Sequence, residues 1–516
     1  MPPKKKKETV TKAKELNLAK EEKQSPAPTR STANTFSIFA AVIAFFLGVI
    51  SPPTLHLFNT HVDTLDLKNK SSSSSKKASS GRLLPPFTPC TATNLANYVH
   101  DVPIPGLHIV CIEAVKFDAD GKTAPSLNYN DDQQRRLLEN NSLRFTFLKE
   151  SIKTPKLYQR KYVNGRDGGG GSGVGSVDWN DVKQLLIREL QLAPEGPRQQ
   201  PWAVFTPLGQ RIVGEKDVVS KTSSSVDDGN NNMIGSNEHI LQMLASSGMV
   251  LVFQGGNWGW PGVREGFQRS IDLSPTLNFN DESNETRKVT IETLSMTPLV
   301  VSIKGFLTDE ECEHIATTAE PHMEYSGVSL KDVDKGKAAS NWRTSQSTFL
   351  SSRGDNILNA IDHRTASLSR VPKNHQEMVQ VLRYVQTEKY DAHHDYFDPK
   401  DYQRDPQTLS LIENGKKNRF ATVFWYLTTV KEGGETIFPH YQGKPLPPGY
   451  RHSDCTYGLK VKPQKGKVII FYSLDARGQQ DPMSLHGACP VIGEQDVKWA
   501  ANKWIWNGQM GYTSAD

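Results

Sequence analysis

Apolar positions change rhythm several times along this chain. Up to residue 34 they are scattered among Lys, Pro and Thr, a pattern that buries no core and reads as disordered. From Phe36 to Ile50 they run without a charge, and no acid, Lys or Arg follows before Phe58. That uncharged span is long enough to cross a bilayer. Residues 35–58 therefore read as a transmembrane signal anchor. A cleaved signal peptide is the weaker reading, because Pro52-Pro53 sits where cleavage needs small residues. Residues 59–89 are a Ser/Lys-rich stalk containing the run Ser71–Ser75.

Short apolar runs return at residue 90. Leu107–Ile112, Trp202–Phe205 and Met249–Phe253 read as strands. Trp179–Leu192 carries helical spacing through Val182, Leu185, Leu186 and Leu190, and Glu238–Ala245 reads as a short helix. Polar inserts at Gly168–Gly171 and Ser223–Asn232 interrupt the pattern. Residues 90–270 are expected to form an α/β accessory region of unknown role. Its aromatic turn, Gln254–Gly262, is read as a packed loop in preference to a ligand groove. Residues 271–289 form an Asn/Asp/Glu/Ser-biased linker.

From residue 290 the rhythm is mainly β. Leu299–Ile303 reads as a strand, and Thr308-Asp309-Glu310-Glu311 is a capping box that opens a helix. Asn356–Leu368 is a second helix. Strands are predicted at Val379–Tyr384, His393–Phe397, Arg419–Leu427, Val461–Pro463, Lys467–Tyr472 and Cys489–Val491. Such spacing suits a β-sandwich or jelly roll.

Charge changes the picture only at the N-terminus. The net charge is +5, and residues 1–34 alone hold nine Lys/Arg and four Glu, so the remainder is neutral. The pI of 8.7 therefore gives no argument for nucleic-acid binding. The Lys-rich side of the anchor is expected to stay cytosolic and the rest to be lumenal. Three glycosylation sequons, at Asn69, Asn140 and Asn284, agree with that. Five cysteines without C-x-x-C spacing argue against a structural zinc site.

The chemistry centres on Tyr390-Asp391-Ala392-His393-His394-Asp395-Tyr396-Phe397. In an extended strand His393 and Asp395 share one face and His394 takes the other. An imidazole beside a carboxylate supplies two legs of a 2-His-1-carboxylate triad, which holds Fe(II) with open positions. Ser484-Leu485-His486-Gly487, after an apolar strand, offers the third leg.

These segments and their order resemble the catalytic domain of the prolyl 4-hydroxylases of the alpha-subunit and plant type, which are 2-oxoglutarate- and Fe(II)-dependent dioxygenases. The matching stretches include Phe306–Cys312, Arg343-Thr344-Ser345, Gln380–Tyr384, Gly433–Pro439, Asp481–Gly487, Cys489-Pro490-Val491 and Lys498-Trp499. The resemblance spans 290–512. It implies an α+β protein whose catalytic domain is a double-stranded β-helix (jelly roll) with flanking helices. It also implies iron held by His393, Asp395 and His486, with O2 and ascorbate used alongside. The distant carboxylate of 2-oxoglutarate would meet Lys498, with Tyr384 and Thr436 hydrogen-bonding it. Glu377, Arg343, Ser345, Arg419 and Trp504 would line a groove for a proline-containing peptide. Pairing of Cys455 with Cys489 is implied in the same way.

The implied reaction is 4-hydroxylation of peptidyl proline, coupled to decarboxylation of 2-oxoglutarate to succinate and CO2. Secretory proline-rich or collagen-like proteins are the expected substrates, and the endoplasmic reticulum membrane, or the Golgi, the expected location. Lysyl hydroxylation is disfavoured because that related group carries an arginine where Lys498 stands. A non-catalytic peptide-binding protein of the same fold is the reading from another class. The chain departs from the family in three places. Two extra residues lie between His486 and Lys498, which makes Lys503 the substitute if Lys498 is misplaced. The loop from Phe397 to Arg419 is longer, and Trp506 replaces the family's usual histidine.

Overall fold

The computed structural model describes residues 287–510 continuously. Before them it describes the stretches 95–114, 142–151, 158–163, 179–192, 202–214, 232–235, 247–255 and 259–273, with Cys90 and Leu244. All of these lie in one compact unit, Pro52–Asp516. The anchor expected at 35–58, the stalk and most of the helix expected at Glu238–Ala245 fall outside the described residues. Among the described residues, no helix is long and apolar enough to cross a membrane.

The first sheet contains β1 (Leu107–Ala114), β2 (Ser142–Leu148), β3 (Tyr158–Val163), β4 (Trp202–Phe205), β5 (Arg211–Gly214), β6 (Asn232–Gly235) and β7 (Met249–Gln254). Their order is β3-β2-β1-β7-β4-β5-β6. Helix α1 (Trp179–Leu190) covers one face, where Val182, Leu185 and Leu186 meet Val110, Ile112, Val250 and Val252. The opposite face sends Ile109, Leu251 and Phe253 into the main core. Burial on both faces explains why β1 and β7 are apolar at nearly every position. The α/β expectation is corrected in one respect. Only β5 and β6 pair in parallel and the other pairings are antiparallel, so the region is a mixed sheet with one described helix. Cys90 and Cys111 form a disulfide at its inner face.

The catalytic part holds two facing sheets. The larger contains β8 (Gln268–Leu273), β9 (Arg287–Met296), β10 (Leu299–Lys304), β11 (Glu324–Tyr325), β12 (Gln346–Leu350), β13 (Val379–Tyr384), β15 (Arg419–Tyr426), β18 (Val468–Tyr472) and β20 (Lys498–Trp506). The smaller contains β14 (Tyr390–His393), β16 (Thr436–Phe438), β17 (Leu459–Val461) and β19 (His486–Ala488), in the order β14-β19-β16-β17. Strand β8 pairs with β9, so Ile271–Leu273 and Arg287–Val289 are sheet and not the expected linker. Ile271 and Leu273 point into the core while Ser270 and Asp272 are only partly covered, an alternation hidden by the polar bias of the segment.

Alternation also sorts the large sheet. Val381, Val423, Trp425, Ile470 and Ala501 face the helices and the first sheet. Leu382, Tyr384, Phe424, Tyr426, Phe471 and Ala500 face the small sheet and line the interior of the roll. On the outer face, Thr308 and Glu311 close the predicted capping box at the start of α2 (Asp309–Ala319). Glu311 also takes a bidentate pair from Arg364 of α3 (Asn356–Ser369), at 2.9 and 2.7 Å. Trp260 of the aromatic turn is fully buried, donates its indole N–H to Leu368 O at 2.5 Å and lies 3.8 Å under the Arg370 guanidinium. That is the packed-loop reading.

Candidate active site

Two short strands bring the two histidines together. In the β14–β19 ladder His393 is the cross-strand partner of His486, and their ring centroids are 4.6 Å apart. The close approach needs Gly487. A Cβ there would stand 3.0 Å from both Ala392 N and Tyr390 O, tighter than ordinary side-chain contact. Strand β14 ends at His393, so the strand expected over His393–Phe397 is corrected. The chain bends at Asp395 and Tyr396 immediately after the strand. The bend still places Asp395 beside the histidines, with His393 Nε2 3.7 Å and His486 Nε2 3.5 Å from its carboxylate oxygens. The strand expected at Cys489–Val491 is displaced upstream to His486–Ala488, and that expected at Val461–Pro463 to Leu459–Val461.

The donor set is prepared for a metal ion. His393 Nδ1 lies 2.8 Å from Asp391 O and His486 Nδ1 2.9 Å from Ser484 O. A backbone carbonyl can only accept, so each Nδ1 carries a proton and Nε2 is the nitrogen turned towards a metal ion. One ligand atom from each of His393, Asp395 and His486 falls within 4.8 Å of the others. Burial, then the nearby His486, pushes the His393 imidazole well below its ordinary range and keeps it neutral. Burial acts to raise the Asp395 carboxyl, but the Arg419 charge and the Thr422 hydrogen bond oppose it, and the balance holds it ionised. Thr422 Oγ1 donates to Asp395 Oδ2 at 2.5 Å and orients it. Two imidazoles whose Nε2 atoms converge on one carboxylate fit a divalent first-row ion such as Fe(II). His394 turns away, with Nε2 3.0 Å from Pro482 O, as its opposite phase predicts.

Deeper in the roll lies Lys498. Its side chain is fully buried and Nζ has no hydrogen-bond partner. Among the described residues the Tyr384, Phe424 and Tyr426 ring centroids lie 5.0, 5.7 and 6.0 Å from Nζ, and Glu435 is the carboxylate whose charge reaches it. Burial lowers its pKa to about 7. An unpaired buried ammonium is costly, and a carboxylate-bearing ligand is the partner this pocket lacks. Thr436 Oγ1 accepts from Tyr426 O–H at 2.7 Å nearby. The two-residue insertion is absorbed in a turn, where Asp496 Oδ2 accepts from Lys431 and Glu432 N–H, so Lys498 keeps its place on β20. Lys503 has the opposite phase and pairs with Asp362 of α3 at 2.6 Å, which removes it as the substitute.

The residues expected to line a peptide groove form two clusters. Glu377 and Arg419 make a bidentate pair at 2.7 and 3.0 Å, and the guanidinium lies 3.5 Å from the Trp504 ring centroid. Arg343 Nε donates to Ser345 Oγ at 2.9 Å, and its guanidinium sits 4.7 Å over Tyr390. Tyr390 in turn stacks on His393 at 3.7 Å. Tyr384 is linked to both Arg343 and Ser345, which ties this cluster to the Lys498 pocket. Sequence reasoning missed Thr422 and Tyr426. Both lie on the inner face of β15 in phase with Phe424, and that alternation was the signal that could have found them. It also missed the role of Tyr390. Cys455 and Cys489 pair as the resemblance implied, which pins the segment just after β19.

Comparison with known proteins agrees with this geometry. The 2OG-Fe(II) oxygenase superfamily model matches residues 379–506. Probable prolyl 4-hydroxylase 6 of Arabidopsis thaliana is 41% identical over 236 residues, 45% of this chain and 76% of that protein. Prolyl 4-hydroxylase 2 of the same organism is 37% identical over 238 residues, 45% of this chain and 75% of its own. A solved viral collagen prolyl hydroxylase from Paramecium Bursaria Chlorella virus-1, complexed with 2OG, is 27% identical, covering 40% of this chain and 95% of its own with a TM-score of 0.28.

Proposed function

The chain belongs to the prolyl 4-hydroxylase family of 2OG-Fe(II) oxygenases, and from that premise we propose that it hydroxylates peptidyl proline at C4. The observation that carries the reading is the convergence of His393, Asp395 and His486, whose Nδ1 atoms are committed to backbone carbonyls. These three residues would hold Fe(II). The bound metal with 2-oxoglutarate and O2 supplies the oxidising chemistry that turns a C–H bond into C–OH, releasing succinate and CO2.

The protein's own residues bind, orient and exclude water. Lys498 would pair with the C5 carboxylate of 2-oxoglutarate, and the Tyr426–Thr436 hydroxyls and Tyr384 lie beside it. The apolar walls, Leu382, Phe424, Phe438 and Phe471, keep this end of the roll dry. Dry surroundings strengthen the single charge pair that would anchor the co-substrate. Thr422 fixes the Asp395 carboxylate. Arg343, Tyr390, Glu377, Arg419 and Trp504 would form the sides on which the peptide lies.

The substrate class we propose is a secretory proline-rich or collagen-like protein. We further place the catalytic part in the lumen of the endoplasmic reticulum, or the Golgi, behind the uncharged span 35–58. Disulfides at Cys90–Cys111 and Cys455–Cys489 support an oxidising compartment. The test is mass spectrometry of proline-rich and collagen-like peptides after incubation with the full chain, Fe(II), 2-oxoglutarate and ascorbate. The full chain is needed because one apolar cluster unites both parts, joining Leu251 and Phe253 to Val301 and Ile470. The expected result is one added oxygen on proline, lost in His486→Ala. Succinate release without peptide oxidation would reject the proline substrate.

A further inference from the structure

We propose that Trp506 and the insertion after Phe397 are one device, a wall that positions the Glu377–Arg419 pair and sets peptide specificity. The inference rests on the reading of this site as a peptide groove. It begins with two departures from the family that looked unrelated in sequence, a long loop before Arg419 and an indole in place of histidine.

In the fold they touch. The insertion leaves and re-enters through one point, where Asn418 Oδ1 accepts from Phe397 N at 2.9 Å and Asn418 Nδ2 donates to Phe397 O at 2.8 Å. Between them lie a turn at Pro399–Tyr402 and the helix α4 (Pro406–Leu411). Their apolar side chains close over the indole. Phe397, Tyr402, Ile412, Trp506 and Met510 form a separate buried cluster, with Leu409 and Leu411 against it. Trp506 is 1% exposed and stacks on Phe397 at 6.2 Å. A histidine would leave much of that volume unfilled.

The indole also reaches the groove. Trp506 Nε1–H donates to Glu377 Oε1 at 2.6 Å, the oxygen that also accepts from Arg419 Nε. Arg419 is thus held by Glu377 through Nε and Nη2, with Trp504 beneath it and Phe397 5.1 Å away. Among the described residues its Nη1 makes no hydrogen bond, which leaves it as the donor for a peptide carbonyl. Trp506 is a positioning residue here, since it acts on the peptide through Glu377 and Arg419.

The outer side of the insertion grips a second segment, residues 327–342. Lys331 pairs with Asp401 at 2.7 Å, and Asp332 N donates to Asp401 O at 2.8 Å. Arg404 N donates to Asp332 Oδ2 at 2.7 Å, and Lys335 bridges Asp332 at 3.1 Å and Arg404 O at 3.2 Å. That segment runs directly into Arg343 over Tyr390. One side of the groove is therefore tied to the other through the insertion.

The test uses the full-length protein with Trp506→Phe, which keeps packing and removes the N–H, Trp506→His, and Lys335→Ala, which cuts only the outer ties. Two readouts are taken, amide hydrogen exchange and steady-state kinetics with a proline-rich peptide. Trp506→Phe is expected to raise peptide KM about tenfold, the scale of one hydrogen bond to a charged group, with kcat and the KM for 2-oxoglutarate within about twofold. Trp506→His is expected to speed exchange at both 398–417 and 327–342 while β15 and β20 stay protected. Lys335→Ala is expected to speed exchange at 327–342 alone. Unchanged exchange at both segments in Trp506→His would overturn the inference, and so would an unchanged peptide KM in Trp506→Phe. If the wild type oxidises no proline peptide, the functional reading alone fails. The exchange pattern and the binding of a fluorescent proline-rich peptide, measured without oxygen, still decide whether Trp506 sets the wall.

Discussion

Lys498→Met should make the protein more stable and weaken its binding of 2-oxoglutarate by roughly a hundredfold. The methionine keeps an unbranched apolar stem and removes an ammonium that has no hydrogen-bond partner among the described residues. Lowering a lysine from 10.5 to about 7 means that holding its charged form in the protein costs roughly 5 kcal/mol. The sign follows from linkage. Between about pH 7 and 10.5 the unfolded chain binds more protons than the folded one, so stability rises with pH. Below about pH 7 the full cost is present, and there the variant gains most. Structural relaxation and solvent entry lower the gain, so a rise of about 2–4 kcal/mol at pH 6.5 is the expected outcome. A bound C5 carboxylate reverses the balance, because the ammonium then has its counter-ion. Losing one partner of a buried charge pair is worth about 3 kcal/mol, or roughly a hundredfold in Kd. Wild-type affinity should also weaken above pH 7, by about tenfold at pH 8, as the free amine becomes neutral. The assays are urea unfolding without ligand and calorimetric titration of 2-oxoglutarate, each at pH 6.5 and pH 8. A variant that binds 2-oxoglutarate within threefold of wild type, or a wild-type affinity flat across this range, would refute the assignment of Lys498.

Three further outcomes are expected. His486→Ala should lose iron, measured as metal content after gel filtration, and at least a hundredfold in succinate release. Its melting temperature should change little, because its neighbour Gly487 and the Cys455–Cys489 bond still hold β19. Cys455→Ser opens a loop of 34 residues and should cost roughly 3–4 kcal/mol in denaturant unfolding, with activity lost earlier than global structure. Arg364→Ala removes the bidentate partner of Glu311, which keeps Thr308 N–H and Arg287 at 3.7 Å, and should cost about 1.5–3 kcal/mol; a change below 1 kcal/mol would show that the pair between α2 and α3 does not hold the outer layer.

What was legible in the sequence was whatever a short window contains. The capping box at Thr308 and the burial of the strand β7 are both set by residues a few positions apart. The candidate ligands His393, Asp395 and His486 were legible for a different reason, since the chemistry of iron restricts the residue types and the family resemblance supplied the distant His486. What a window cannot hold is the pairing of distant segments. Strand β8 reads as part of a linker until Arg287–Met296 covers its edge. The bend at Asp395 reads as more strand, because His393 already satisfies the alternation and only the β19 partner shows where the ladder stops.

The choice between Lys498 and Lys503 shows how period-two phase settles what composition leaves open. Both are buried and both lie on β20, five residues apart. An odd separation sends them to opposite faces of the sheet. The outer face offers Lys503 a carboxylate, Asp362, supplied by α3. The inner face gives Lys498 aromatic rings and, among the described residues, no hydrogen-bond partner, with Glu435 acting on it only through its charge. A buried cation that the fold itself neutralises is part of the scaffold, whereas one left without a counter-ion is stabilised only by a ligand. The same phase places Ala500, Asn502, Trp504 and Trp506 on the side of Lys498. One face of one strand therefore carries the proposed co-substrate anchor at one end and the wall of the peptide groove at the other. Ala500 and Asn502 lie between them on that face, with Asn502 Nδ2 donating to Gln380 Oε1 at 3.2 Å.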